Sequence, residues 1–517
     1  MANSKYKYVK SFEVDDMIMQ RYTIIIHVDA RDFCRFSQLH NFEKPNDEKA
    51  LELMNECANA VLKQFPEVVF SYGYGAEFSF IFKKETDFYK RRGSKILSLI
   101  VSFFTSTYVT KWRALFPQKE LKYAPSFRAR VFCCELLQAY LLWRQEECLW
   151  QLIKSGKSKK KAQATLRGSL YQSFNIDFRQ GTCILKTKVE EIVKHKADGS
   201  PVIRPRSKVL TVHSENIASK RFWNENKCLS EEELGQFCNA LKKTRPEYIK
   251  YWNFQYESRL KLSTWIVVRI DGRHFHSFSD DHEFEKPNDA RALNLMNACA
   301  VAVLEEFRDV VFAYGVSDEY SFVLNKDSRL YQRCASEIVS SVVSFFSSTY
   351  IMRWNEFFPE KEMKYLPYFD GRAVCYPSSE IKDYLAWRQV DCHINNQYNT
   401  CFWLLVKSGK SKGEAQNELQ KTQTPEKNEI LDRLTGVPNY YDTLPPMFRV
   451  GSSVFWDKET KLVVVENCNI IETGFWEAHP QILEKKVDRF KALQNIVLIF
   501  FIASSMLALL VTNLFSN

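Results

Sequence analysis

Residues 269–324 read RIDGRHFHSFSDDHEFEKPNDARALNLMNACAVAVLEEFRDVVFAYGVSDEYSFVL, and residues 27–82 read HVDARDFCRFSQLHNFEKPNDEKALELMNECANAVLKQFPEVVFSYGYGAEFSFIF. The two run in constant register without a gap, so Asp271 matches Asp29 and Glu319 matches Glu77. The match continues through SFFSSTYIMRW with SFFTSTYVTKW, YLAWRQ with YLLWRQ, and VKSGKSK with IKSGKSK. Two long copies are a duplicated domain, where a solenoid would need many short ones. A chain of 517 residues has room for both. The polar stretch from Leu229 to Lys243 is the expected junction, giving one repeat over 1–235 and a second over 236–490.

Within the quoted stretch, Trp265 to Ile270 is an apolar, β-branched run of strand length that ends at Asp271-Gly272. Pro287-Asn288-Asp289 offers a helix start, with Asn or Asp as cap. Leu293, Met296, Ala300, Val303, Leu304 and Phe307 then follow at helical spacing as one buried stripe. Val310 to Tyr314 and Tyr320 to Leu324 read as strands around a tight Gly315–Glu319 hairpin. Strand, helix, strand, strand predicts an α+β fold of two tandem ferredoxin-like sheets with added helices.

Such a sheet brings the Asp271 and Asp318 segments side by side. Paired carboxylates with a backbone carbonyl are hard oxygen ligands suited to Mg²⁺, and two such ions can serve phosphoryl or nucleotidyl transfer. Asp271, Asp318 and the Gly272 carbonyl are the expected metal ligands. Glu319, one residue further along the strand, is a secondary candidate for catalysis. Arg269, Arg273 and Lys286 cluster nearby as phosphate cations, and Ser317 precedes the metal aspartate. His393, Asn396 and Thr400 are spaced to share one helix face, a polar stripe in an apolar helix that points to a ligand. GKS at Gly409 and at Gly156 has no glycine five places earlier, which excludes a P-loop.

The first copy differs where chemistry would sit. It has Ala30 for Gly272 and Ala76 for Asp318, lacks most of CHINNQYNTCFW (392–403), and has no counterpart of KNEIL (427–431). It alone carries the long basic stretch Lys186 to Arg206. The Lys194 to Lys208 region and KSGKSKKK at 154–161 are candidates for phosphate contacts.

A formal net charge of +10 leans towards a polyanionic partner. The 14 cysteines form no C-x-x-C pair, which argues against structural zinc. Nothing at the N-terminus reads as a secretory leader, so reduced thiols in nucleus or cytoplasm are expected. No charge follows Lys491, and Ile496 to Val511 is apolar. This segment predicts a C-terminal transmembrane helix over about 492–515, tail-anchoring the protein to a membrane.

RIDGRHF, FEKPND, YGVSDEYSF, YLAWRQVDCHINNQYNTCFW and KNEIL, in this order, resemble the tRNA-His guanylyltransferase family, in the tandem form found in plants. The resemblance covers nearly the whole chain outside the hydrophobic tail. It implies a polymerase-palm fold and a nucleotidyltransferase that uses two Mg²⁺ with ATP and GTP. Activity would be addition of a G to the 5′ end of tRNA-His. It further implies that Asp271, Gly272, Arg273, His274, Phe275, His276, Lys286, Ser317 and Asp318 line the nucleotide. His393, Asn396, Lys427 and Asn428 would handle nucleotide or tRNA. The first copy would be non-catalytic, and a dimer of two-copy chains is the expected assembly. A nucleotidyl cyclase with the same aspartate pair, or a tRNA-binding scaffold without catalysis, are the competing readings.

Overall fold

The computed structural model describes residues 4–44, 47–134, 158, 160–161, 181–195, 201–213, 217, 220–226, 229, 234 and 258–483. In the first repeat, strand β1 (Thr23–Ala30) leads to helix α1 (Glu48–Gln64), then β2 (Val68–Tyr74), β3 (Glu77–Phe82), helix α2 (Gly93–Leu115) and β4 (Phe127–Cys134). Two further strands, β5 (Thr182–His195) and β6 (Pro201–His213), complete an antiparallel sheet of order β4-β1-β3-β2-β5-β6. The second repeat copies it with β7 (Trp265–Gly272), α3 (Phe275–Asp281), α4 (Ala290–Glu306), β8 (Val310–Val316), β9 (Glu319–Leu324), α5 (Ala335–Phe357) and β10 (Phe369–Tyr376). It ends in the short strands β11 (Ser452–Trp456) and β12 (Val463–Glu466), giving the order β10-β7-β9-β8-β11-β12. The first four strands of each sheet have the ferredoxin-like order expected from the sequence.

Local chemistry explains the main elements. Asp289 caps α4, its carboxylate accepting from the Arg291 and Ala292 amides. The apolar stripe of α4 packs on the sheet with the inner face of α5, burying Met296, Ala300, Val303 and Leu304 beside Ile338, Val342 and Phe346. Residues Lys7–Phe12, at the start of the chain, cross to the second repeat. There Val9 is buried among Trp265, Val267 and Tyr376, on the other face of that sheet.

The repeats are joined at the open edges of their sheets. Helix α2 lies along β10, where Ser98 Oγ accepts from the Gly371 amide at 2.8 Å and Ser102 Oγ from the Phe369 amide at 2.7 Å. Helix α5 does the same for β4, with Ser340 accepting from Ala129 at 2.8 Å and Ser344 from Phe127 at 2.7 Å. Each edge strand is thus closed by hydroxyls of the other repeat rather than left to pair with a further chain.

One expectation is given a place and one is overturned. The described parts of the basic region, 186–195 and 201–208, lie on the paired strands β5 and β6, where Arg206 and Lys208 pair with Glu191. The transmembrane helix is corrected: among the described residues no helix is long and apolar enough to cross a membrane. The described 23-residue helices α2 and α5 are continuous, and the serines that serve the edge strands are among the polar residues in their apolar runs. Segment Ile496–Val511, on which that expectation rested, lies outside the described residues, as do residues 135–157 of the first repeat.

Candidate active site in the second repeat

Strand β7 runs antiparallel to β9 with Asp271 opposite Glu319, and the Gly272 amide donates to the Asp318 carbonyl at 3.0 Å. This hydrogen bond ties the two acidic segments together at the strand ends. Ser317, at the hairpin turn, has a left-handed backbone (φ 54°). Gly272 is required by a close approach: a Cβ there would lie 2.4 Å from the Phe275 ring.

The acids crowd one another. Burial, reinforced by Asp318, Glu319 and Asp370, pushes the Asp271 carboxyl up to about 7, while Arg269 pulls it down. Burial also raises Asp318, against hydrogen bonds that include the Ser317 hydroxyl. Glu319 lies on the Asp271 face of the sheet and is held by Arg269 and by Arg388, the latter at 2.7 Å. Asp370, opposite Asp271 on β10, receives Lys95 of the first repeat at 2.7 Å.

A cleft of about 480 Å³ opens beside Asp318. Phe275, His276, Lys286 and Ser317 line it, as expected. His274 caps the start of α3 in a left-handed conformation (φ 57°) without lining the cleft. Arg273 stacks 5.0 Å over Tyr89, a side chain of the first repeat, and its Nε has no hydrogen-bond partner among the described residues.

The far wall comes from helix α6 (Ile381–Lys407), which presents Tyr398, Asn399, Phe402 and Trp403. The sequence reading missed these. Its signal was the i, i+4 spacing of Tyr398 with Phe402 and of Asn399 with Trp403, beside the polar stripe that was singled out. Lys286 and Lys412 flank the Trp403 ring at 5.6 and 5.5 Å.

The polar stripe is internal instead. Asn396 accepts from Asn288 at 2.9 Å and donates to the Tyr441 hydroxyl at 3.2 Å. Tyr441 in turn donates to the His393 carbonyl. Asn428, on helix α7 (Thr424–Thr435), accepts from Gln397 at 2.7 Å, and Lys427 donates to the Thr422 carbonyl at 2.7 Å. None of these four lines the cleft; only Asn396 reaches it, through Asn288.

The corresponding place in the first repeat is built differently. Arg128 grips Asp29 through Nε at 3.1 Å and Nη2 at 2.6 Å, and Arg130 reaches the same carboxylate at 3.4 Å. Arg31, the counterpart of Arg273, is bound by Glu306 of the second repeat. Ala76 supplies no acid.

The sequence pattern described as tRNAHis guanylyltransferase matches residues 6–135 and again 246–377, and the pattern described as Thg1 C terminal domain matches 379–494. tRNA(His) guanylyltransferase 1 of Arabidopsis thaliana is 57% identical over 93% of this chain and 91% of its own. tRNA(His) guanylyltransferase 2 of the same plant is 55% identical over 93% and 99%. The crystal structure of the Saccharomyces cerevisiae tRNA(His) guanylyltransferase, 42% identical, covers 45% of this chain and 99% of its own, with a TM-score of 0.40.

Proposed function

The chain belongs to the tRNA(His) guanylyltransferase family, and from that premise we propose that its second repeat adds a guanosine to the 5′ end of tRNA-His. In this reading residues 236–490 are the catalytic unit and 1–235 a non-catalytic partner. The 5′ phosphate is activated with ATP, the 3′-hydroxyl of GTP attacks it, and pyrophosphate removal leaves the added G. One observation carries the assignment to the second repeat. Asp318 lines an open cleft and is tied to the Asp271 strand end by the Gly272 amide, whereas in the first repeat the second acid is lost and Arg128 occupies Asp29.

The donor set suits Mg²⁺. Among the described residues no three His, Cys, Asp or Glu side chains gather to hold a metal unaided. Two carboxylates that leave other positions to water and phosphate are what this ion accepts. Burial and the neighbouring acids together raise Asp271, and a bound cation would offset both by favouring the carboxylate. Asp271, Asp318 and the Gly272 carbonyl would hold two Mg²⁺, which when bound neutralise charge on the attacking and leaving oxygens. Arg273, stacked on Tyr89 of the first repeat, keeps a cation two residues beyond Asp271 for a phosphate. Lys286 and the Phe402 and Trp403 rings form an apolar, cationic wall suited to a nucleotide. Glu319, pinned by two arginines, keeps Arg269 and Arg388 in place beneath the acids.

The test is incubation of the protein with 5′-monophosphorylated tRNA-His, ATP, labelled GTP and Mg²⁺, beside Asp318→Ala and Glu77→Ala. Label at the 5′ end that is lost only in Asp318→Ala supports the reading. Absence of label with every protein would overturn it.

A further inference from the structure

We propose that the joint between the repeats carries a charge code that makes each repeat a partner for the other and not for itself. Much of the joint is common to both halves. The serine pairs Ser98 and Ser102 on α2 and Ser340 and Ser344 on α5 make equivalent bonds to the opposite edge strand. Ser102 also meets Ser347, and Thr105 meets Ser344, each at 2.7 Å. These contacts would form equally well between two first repeats or two second repeats, so they hold the joint without choosing the partner.

On the helices α2 and α5 one charged position breaks this equivalence. Lys95 on α2 corresponds to Glu337 on α5, and on the facing strands Asp370 corresponds to Arg128. In the structure Lys95 meets Asp370 at 2.7 Å, and Glu337 meets Arg130, next to Arg128, at 3.6 Å. Glu337 also helps keep the Arg128 guanidinium protonated. Arg372, the counterpart of Arg130, is taken by Glu13 at 2.5 Å, leaving Asp370 to Lys95. All of these side chains are at least two-thirds buried, where screening by water is weak.

Self-pairing reverses the match. Two first repeats would set Lys95 against Arg128 and Arg130. Two second repeats would set Glu337 against Asp370, which already faces Asp271 across the strands. Like charges facing at a half-buried joint exclude a partner more effectively than any shared contact attracts one. The code therefore directs pairing of unlike repeats, within one chain or between chains, and keeps the second repeat always beside a first repeat, which brings Tyr89 to Arg273.

The test uses the full chain and sedimentation velocity over a range of protein concentrations. Exchanging the helix charges (Lys95→Glu with Glu337→Lys) makes unlike pairing repulsive on both sides and like pairing attractive. The expected result is concentration-dependent species larger than the parent's, formed through like repeats of different chains, or loss of folding. Exchanging the strand charges that these side chains touch as well (Arg130→Glu with Asp370→Lys) restores unlike attraction while Arg128 keeps its hold on Asp29, and the fourfold variant is expected to recover the sedimentation and melting of the parent. A helix-charge exchange that leaves both sedimentation and melting unchanged would overturn the proposal. So would a fourfold variant that fails to recover from the defect of the helix exchange.

Discussion

At the scale of single residues, the two repeats share their structural side chains and part at their chemical ones. Arg333 is buried and gives its guanidinium to the carbonyls of Leu260, Lys261, Thr264, Lys326 and Ser328. Arg91 does the same in the first repeat, for Ile18, Met19, Tyr22, Lys84 and Thr86. Arg333→Ala leaves several buried acceptors without a donor and is expected to cost about 3–5 kcal/mol, read by urea denaturation. Asp318→Ala removes one of two acids and is expected to lower the 5′ addition rate by about 10²–10³-fold in single-turnover assays. Glu77→Ala, beside the His27 ring at 3.3 Å in the first repeat, leaves that rate unchanged.

Asp271 gives a pH prediction of a different kind. Its carboxyl is held at about 7 in the folded chain, against an ordinary 3.8, and so keeps its proton longer than in the unfolded chain. Stability of the metal-free protein then falls as pH rises from about 4 to about 7, and the loss is complete above that. Because the carboxylate is 45% exposed, solvent discounts the effect to the order of 1 kcal/mol. Asp271→Asn in chelator is expected to melt higher than the parent at pH 8, and equally at pH 4. A lower melting temperature at pH 8 would contradict the repulsion argued here.

At the scale of elements, the long helices α2 and α5 serve two masters. One face packs on their own sheet, as the apolar spacing announces. The other closes the edge strand of the opposite repeat with serine hydroxyls. Ser102→Ala removes little more than the hydroxyl but leaves the Phe369 amide buried without a partner, and is expected to cost about 1–3 kcal/mol by thermal melting. The helix sequences SFFTSTY and SFFSSTY showed the serines, but nothing in them says that the amide donor they accept from lies on another domain. A serine inside a helix more often bonds its own preceding turn, and several here do that as well.

At the scale of the whole molecule, the first repeat acts as a fixed neighbour to the second. It sends Lys95 to Asp370 and Tyr89 to Arg273, while the second repeat ties down Arg31 through Glu306. The chain start also belongs to the second repeat: Tyr8 donates to Asp383 at 2.6 Å, Glu13 meets Arg372, and Val9 is fully buried. Deleting residues 1–13 is therefore expected to destabilise the second repeat, although every deleted residue lies at the start of the first. Hydrogen exchange of β10 and α6 would show it as lost protection, and unchanged protection there would refute it.

The sequence by itself determined the duplication, the strand–helix–strand–strand order and the acidic pair, because these rest on periodicity, capping and register within about fifty residues. A strand period of two and a helix period of 3.6 are local properties that survive without knowledge of the fold. Only the tertiary structure decided the rest. The polar stripe of α6 became internal, its neighbours Tyr398, Phe402 and Trp403 became the cleft wall, and Arg128 took the place beside Asp29. Each of these depends on how a helix is rotated or which strand lies opposite. That choice is made by packing between segments far apart in the chain, where a shift of one residue changes what a side chain faces.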